Sequence, residues 1–185
     1  MVSTPPDISR ITGNAPDHVK SFLADPTTLE DVSGLSRTVR GFGYDIIARM
    51  EVTEVSVSKK MDEPLKEEGR VVVKMKIEQD MVHGGLHMHG GCSAFIIDTC
   101  TTLAMAALTL GTVGKKLSNV SLALNILYHA PAALGEELRI VSTTLTVGGR
   151  AFSARTEMWS DTHNRLVASG VHVKLSPSTG RTPKL

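Results

Sequence analysis

One helix-length stretch constrains this chain more than any other. Between Gly90 and Leu110 the only charged residue is Asp98, set among Ile96, Ile97, Leu103, Ala104, Met105, Ala106, Ala107 and Leu108. The pattern predicts a helix of about twenty residues that ends at Gly111 and Gly114. A helix this apolar has no polar face to offer water and must be covered nearly all round. The runs around it read as strands. Residues 47–59 alternate through Ile47, Met50, Val52, Val55 and Val57, and Val71 to Ile77 forms a second strand. Lys59 to Gly69 is charged, contains Pro64 and reads as the loop between them. Four strand-like runs follow the helix, at 118–130, 137–147, 150–160 and 166–175, punctuated by Gly135, Gly148-Gly149 and Asp161 to Asn164. The expectation is an α+β fold in which a curved antiparallel sheet of about six strands wraps one long helix.

The flanks are less patterned. Residues 1–13 read as a disordered lead. Asn14-Ala15-Pro16-Asp17 looks like a helix start with Asn14 as the cap, the helix running to Ala24 until Pro26 stops it. Residues 27–45, rich in Thr, Ser and Gly, fit no element. The division expected is an N-terminal, partly helical extension over 1–45, the main domain over 46–176, and a flexible tail over 177–185.

Composition excludes several classes. At 185 residues the chain suits one core, and 41% apolar with 21% charged residues is ordinary for a soluble globular protein. Twenty basic residues against 19 acidic leave a net charge of +1, which makes no electrostatic case for nucleic acid or an anionic membrane. No apolar run of about 18 residues goes uninterrupted by polar ones, so no membrane span is expected. Cys92 and Cys100 lie eight positions apart in the expected helix, about 12 Å along its axis, too far for a disulfide. They read as reduced core thiols. The first residues lack a charged-then-apolar signal pattern, and early acidic residues argue against a mitochondrial presequence. A cytoplasmic location is expected, with a mitochondrial one left open.

The helix start carries the chemistry. His89-Gly90-Gly91 places bare backbone N–H groups where anions and developing oxyanions are favoured. Asp98 follows nine positions after His89, and an ionisable group on an apolar helix is costly to bury unless paired or put to use. A carbonyl oxygen held at the helix start and a carboxylate acting farther along suit acyl transfer or hydrolysis.

Further residues then fall into a family pattern. After His89-Gly90-Gly91 and Asp98 come Val120-Ser121-Leu122-Ala123-Leu124-Asn125-Ile126-Leu127-Tyr128, then Pro131-Ala132, Gly135-Glu136, and the Leu166 to Lys174 strand with its Ala-Ser-Gly-Val-His. In this order they resemble the hotdog-fold acyl-CoA thioesterases of the phenylacetic-acid-degradation (PaaI-like) type, across roughly residues 47–175. The resemblance implies a hotdog fold, hydrolysis of acyl-CoA to a free acid and coenzyme A, and no metal or redox cofactor. It implies a homodimer or homotetramer with the site between subunits. It makes Asp98 the general base or nucleophile and the Gly90 N–H the oxyanion donor. Gly91 allows close substrate approach, His89 orients the loop, and Ser121 holds water or the carboxylate. Asn125 and Tyr128 line the pocket. Lys115, Lys116 and Arg150 are the candidates for the phosphates of coenzyme A.

One position departs from the pattern. Six residues before His89, related thioesterases often carry Asn, and here the residue is His83, in a second His-Gly-Gly sequence. An imidazole N–H can donate the same hydrogen bond. His83, His87 and His89 together suggest a metal site only weakly, since no carboxylate or thiol is well placed beside them. Two rival readings stay open: a hotdog acyl-CoA hydratase or dehydratase, and a non-catalytic acyl-CoA binder.

Overall fold

The computed structural model describes residues 6–29, 40–115 and 118–177. Six antiparallel strands form one sheet in the order β1-β2-β4-β5-β6-β3. They are β1 (Glu51–Lys59), β2 (Glu67–Lys76), β3 (Val120–Tyr128), β4 (Glu137–Val147), β5 (Ala151–Ser160) and β6 (Arg165–Leu175). Helix α3 (Gly90–Val113) lies against the sheet, and with α1 (Asp17–Leu23) and α2 (Tyr44–Ile47) completes the hotdog fold.

The inner face of the sheet follows the period-two rule. Val71, Val73 and Met75 on β2, Leu138 and Ile140 on β4, Ala154 and Met158 on β5, and Ala168 on β6 are all buried. Ala154 packs with Met105 of α3 and Phe152, and the others meet Ile96, Ile97, Cys100, Leu103, Ala104 and Ala107 of α3. Full burial of each large aliphatic side chain stabilises by about 1.5–3 kcal/mol. By length and composition alone α3 would cross a bilayer, a stronger apolar character than the interrupted sequence suggests. Here twelve of its side chains are buried inside the protein.

Several boundaries differ from expectation. Glu67, Glu68 and Gly69, read as loop, belong to β2, because they pair with Lys59, Ser58 and Val57 across the hairpin. Opposite charges at Lys59 and Glu67 favour that register. Ile47 and Met50, read as strand, lie in and just after α2, and both are buried. Their spacing of three is a helical one. Gly111 does not end α3. A Cβ there would come 3.0 Å from Val57 Cγ2, so the glycine lets β1 approach the helix. The stop is Gly114, left-handed at φ 72°, whose N–H bonds the Leu110 carbonyl.

The segment before α1 lies along β1. Thr12 forms a parallel bridge with Glu54, and the Ala15 N–H bonds the Val55 carbonyl. Asn14 does not cap α1: its Oδ1 accepts the Val57 N–H, while Pro16 occupies the cap position. Gly13, at φ +94°, sits where a Cβ would lie 2.2 Å from the Val55 carbonyl oxygen. Ile11, Ala15, Val19 and Leu23 join the same core as α3.

Candidate active site

The sequence-predicted residues gather at the two ends of β3. At its start, Ser121 pairs with Lys174 of β6, and His172 and Lys174 both point from β6 toward α3 at the level of Asp98. His172 is fully buried, with Nδ1 3.5 Å from Asp98 Oδ1. The Thr101 hydroxyl donates to the Ile97 carbonyl at 2.9 Å and lies 2.8 Å from His172 Nδ1. With its hydrogen so committed, Thr101 Oγ1 accepts from Nδ1–H. On the other side of the ring, Ser121 Oγ is 3.0 Å from Nε2. Burial pushes the imidazole below its ordinary value; Asp98 pulls the other way, and the Lys174 ammonium adds to the lowering. A neutral ring with hydrogen on Nδ1 leaves Nε2 to accept the Ser121 hydroxyl. Asp98 itself is not sealed in the core. Its side chain is 41% exposed, so it faces both this polar cluster and solvent.

At the far end of β3, the Tyr128 hydroxyl donates to the Gly90 carbonyl at 3.0 Å. His89 is the cap of α3, its Nδ1 accepting the Gly91 N–H at 2.9 Å. The Cys92 and Ser93 N–H groups both bond the His89 carbonyl. Among the described residues this leaves the Gly90 N–H as the uncommitted donor of the first turn, in the field of a 24-residue helix. Because Nδ1 of His89 accepts, its neutral ring carries hydrogen on Nε2.

His83 repeats the device. Its Nδ1 accepts the Gly85 N–H at 3.0 Å, so its neutral ring also presents Nε2–H. It belongs to a hairpin in which the His83 N–H bonds the His87 carbonyl and the two rings stack 6.2 Å apart. That hairpin leans on the turn before β4: the Met88 N–H bonds the Ala132 carbonyl, and the Leu134 N–H bonds the Leu86 carbonyl. Buried Glu136 holds this turn, accepting from the Ala133 N–H, the Ser160 hydroxyl and Arg165. Burial alone pushes its carboxyl up, but those donors and nearby His163 outweigh it and hold the group below its ordinary value. Both cysteines are poor nucleophiles. Burial pushes the Cys92 thiol to about 11 and Cys100 to about 12. Among the described residues no three His, Cys, Asp or Glu side chains converge as a metal site.

The family model for the thioesterase superfamily matches residues 85–167, a span that holds His89, Gly90, Asp98, Ser121 and Tyr128 but not His83, His172 or Lys174. Human acyl-coenzyme A thioesterase 13 is 30% identical over 106 residues, 57% of this chain and 72% of that one. The chain belongs to the thioesterase superfamily. The structure of zebrafish thioesterase superfamily member 2 aligns over 82% of this chain and 97% of its own, at 25% identity and a TM-score of 0.62. The Escherichia coli PaaI protein of the phenylacetic acid degradation operon shares the fold at 20% identity, over 59% of this chain and 73% of its own, with a TM-score of 0.51.

In this thioesterase the other candidates spread more widely. Asn125 is exposed midway along β3. Arg150 is exposed in the β4–β5 hairpin, where its carbonyl accepts the Ser176 N–H, and Lys115 is exposed just past the α3 cap. Lys116 lies outside the described residues. Sequence reasoning passed over His172 and Lys174 as site residues. Their one sequence signal is alternation: Ala168, Gly170, His172 and Lys174 are every second residue of β6, on its helix-facing side.

Proposed function

We propose that this acyl-CoA thioesterase hydrolyses its substrate at a site completed by two copies of the chain. Gly90 and Asp98 are eight residues apart on one straight helix, about 12 Å along its axis. A single thioester carbonyl cannot meet both. The observation that carries the reading is the placement of the two halves at opposite ends of edge strand β3. Among the described residues β3 pairs only with β6, and Val120, Leu122, Leu127 and Tyr128 are each more than half exposed. An exposed apolar edge strand is a template for another strand. Antiparallel pairing of β3 with its copy about Leu124 sets Ser121 of one chain opposite Leu127 of the other. Asp98, His172 and Ser121 of one protomer then face Gly90, His89 and His83 of its partner.

In that composite site the Gly90 N–H binds the thioester oxygen at the positive end of α3, with the Nε2–H groups of His83 and His89 as further donors. Asp98 takes a proton from water as the water oxygen attacks the carbonyl carbon. Ser121, its own hydrogen given to His172, accepts the second hydrogen of that water. The tetrahedral intermediate collapses by breaking the C–S bond. The coenzyme A thiolate recovers the proton from Asp98, leaving free acid, coenzyme A and an ionised carboxylate. The steps use water, side chains and the Gly90 backbone N–H. Gly91, Asn125 and Tyr128 line the approach, and Lys115, Lys116 and Arg150 are the basic residues proposed for the phosphates of coenzyme A. Homodimers can associate further into tetramers.

The test is thiol release from a panel of short, long and aromatic acyl-CoAs by the protein and its Asp98→Asn variant. Release that collapses in the variant supports the reading. A folded protein that binds acyl-CoA and releases no thiol from any substrate overturns it in favour of a binding role.

A further inference from the structure

Lys174 is 8% exposed, an unusual position for a lysine. It stands on the inner face of β6, with Nζ 3.0 Å from Thr102 Oγ1 and 3.9 Å from Asp98 Oδ1. The Thr102 hydroxyl in turn donates to the Asp98 carbonyl at 2.9 Å. An ammonium withdrawn from water costs several kcal/mol unless an anion compensates it, and the Asp98 carboxylate lies beside this one. The other groups facing that carboxylate are His172 of β6 and Thr101 of α3, with Ser121 of β3 behind the imidazole. His172 is uncharged at neutral pH, so Lys174 supplies the positive charge of the cluster.

We infer that Lys174 is a positioning residue of the hydrolysis, the counter-ion that faces the Asp98 carboxylate from the inner face of β6. This rests on the proposed role of Asp98 as the base. The ammonium has two consequences in the cycle. Before attack it faces the carboxylate that takes the proton of water. After attack Asp98 is neutral beside an unbalanced cation, which makes it a stronger acid and speeds delivery of the proton to the departing thiolate. The lysine takes no proton and touches no reacting atom. Atoms and charge balance as in the hydrolysis above.

Lys174→Met and Lys174→Arg variants test this through full pH profiles of kcat and KM. Removing a cation near a carboxylate raises the pH at which the carboxylate ionises, and the same loss lets His172 bind a proton more readily. The acid limb of kcat in Lys174→Met is expected to move up by about one unit. At pH values well down the acid limb of the parent protein its kcat then falls about tenfold, with activity returning above the shifted limb and KM little changed. Lys174→Arg, which keeps the charge, restores the original limb. An acid limb that stays put in Lys174→Met, with activity lowered equally at every pH, overturns the inference. If Lys174→Met does not fold, Lys174→Gln, which keeps a hydrogen bond to Thr102 without the charge, reads the same limb. Asp98→Asn separates the two proposals. Retained turnover in that variant defeats Asp98 as base, whereas lost turnover with an unmoved limb in Lys174→Met defeats only the role of the lysine.

Discussion

His172 Nε2 and Ser121 Oγ lie 3.0 Å apart, and the Thr101 hydroxyl on the other side of the ring fixes which of them donates. Thr101 gives its hydrogen to the helix backbone, so Nδ1–H points at it and Nε2 must accept. Ser121 therefore presents lone pairs to the site and can orient water as an acceptor. Ser121→Ala removes one such hydrogen bond from the transition state, worth about 1.4 kcal/mol or about tenfold in kcat. Stability should fall by about 1–2 kcal/mol as well, because the variant leaves Nε2 of buried His172 without its donor. Steady-state kinetics beside a melting curve would check this, and an unchanged kcat would remove Ser121 from the mechanism.

That relationship also marks where sequence reading stops. The fold was legible because its signals are local and redundant. An uncharged helix needs covering, and period-two strands supply the cover. The cap of α3 was legible too, since His89, Gly90 and Gly91 interact with one another. His172 and Lys174 acquire meaning only when β6 lies against α3, and Thr101 and His172 are 71 positions apart. In the sequence they are two polar residues in an alternating strand. Asn14 misled for a related reason. A side chain with a good local use as a cap is taken instead by the backbone of β1, 43 positions away.

The buried imidazole makes stability depend on pH. Its folded value is lowered, so the unfolded chain binds the proton more readily than the native one. That contribution is fully present above the ordinary histidine value of about 6.5 and is lost as pH falls below it. Melting temperature should therefore drop between about pH 7.5 and pH 5.5. His172→Gln keeps polar atoms near Thr101 and Ser121 but does not titrate, so the drop should shrink in that variant. An equal drop in both proteins would assign the acid sensitivity to other groups.

Glu136 links stability to the His83–His87 hairpin. The turn that it holds is the one on which the His83–His87 hairpin leans, through Ala132 and Leu134. Glu136→Gln leaves Arg165 and the Ser160 hydroxyl facing an amide in place of a charge, a loss of about 2 kcal/mol. Chemical denaturation should show that loss, and amides 82–88 should exchange with solvent faster than in the parent protein. The carboxyl is held below its ordinary value, so its contribution is present above the usual glutamate value of about 4.3 and disappears as pH falls further. A variant that loses stability with no change in loop exchange would reduce Glu136 to a purely structural anchor.

The composite site makes a sharper demand. Leu122 and Leu127 are 63% and 67% exposed in a single chain, so replacing both with lysine should leave the monomer fold intact. In that register each lysine stands opposite Ile126 or Ser121 of the other copy, and charges placed along a paired β3 edge would oppose pairing. Light scattering should then report monomers, with circular dichroism unchanged. Each monomer retains Asp98, His172 and Ser121 at one end of β3 and Gly90 at the other, about 12 Å apart along α3. Thioesterase turnover should fall with the dimer fraction and return as protein concentration restores association. A monomer that still hydrolyses acyl-CoA at full rate would mean that one chain closes the gap alone, and the division of the site between copies would be abandoned.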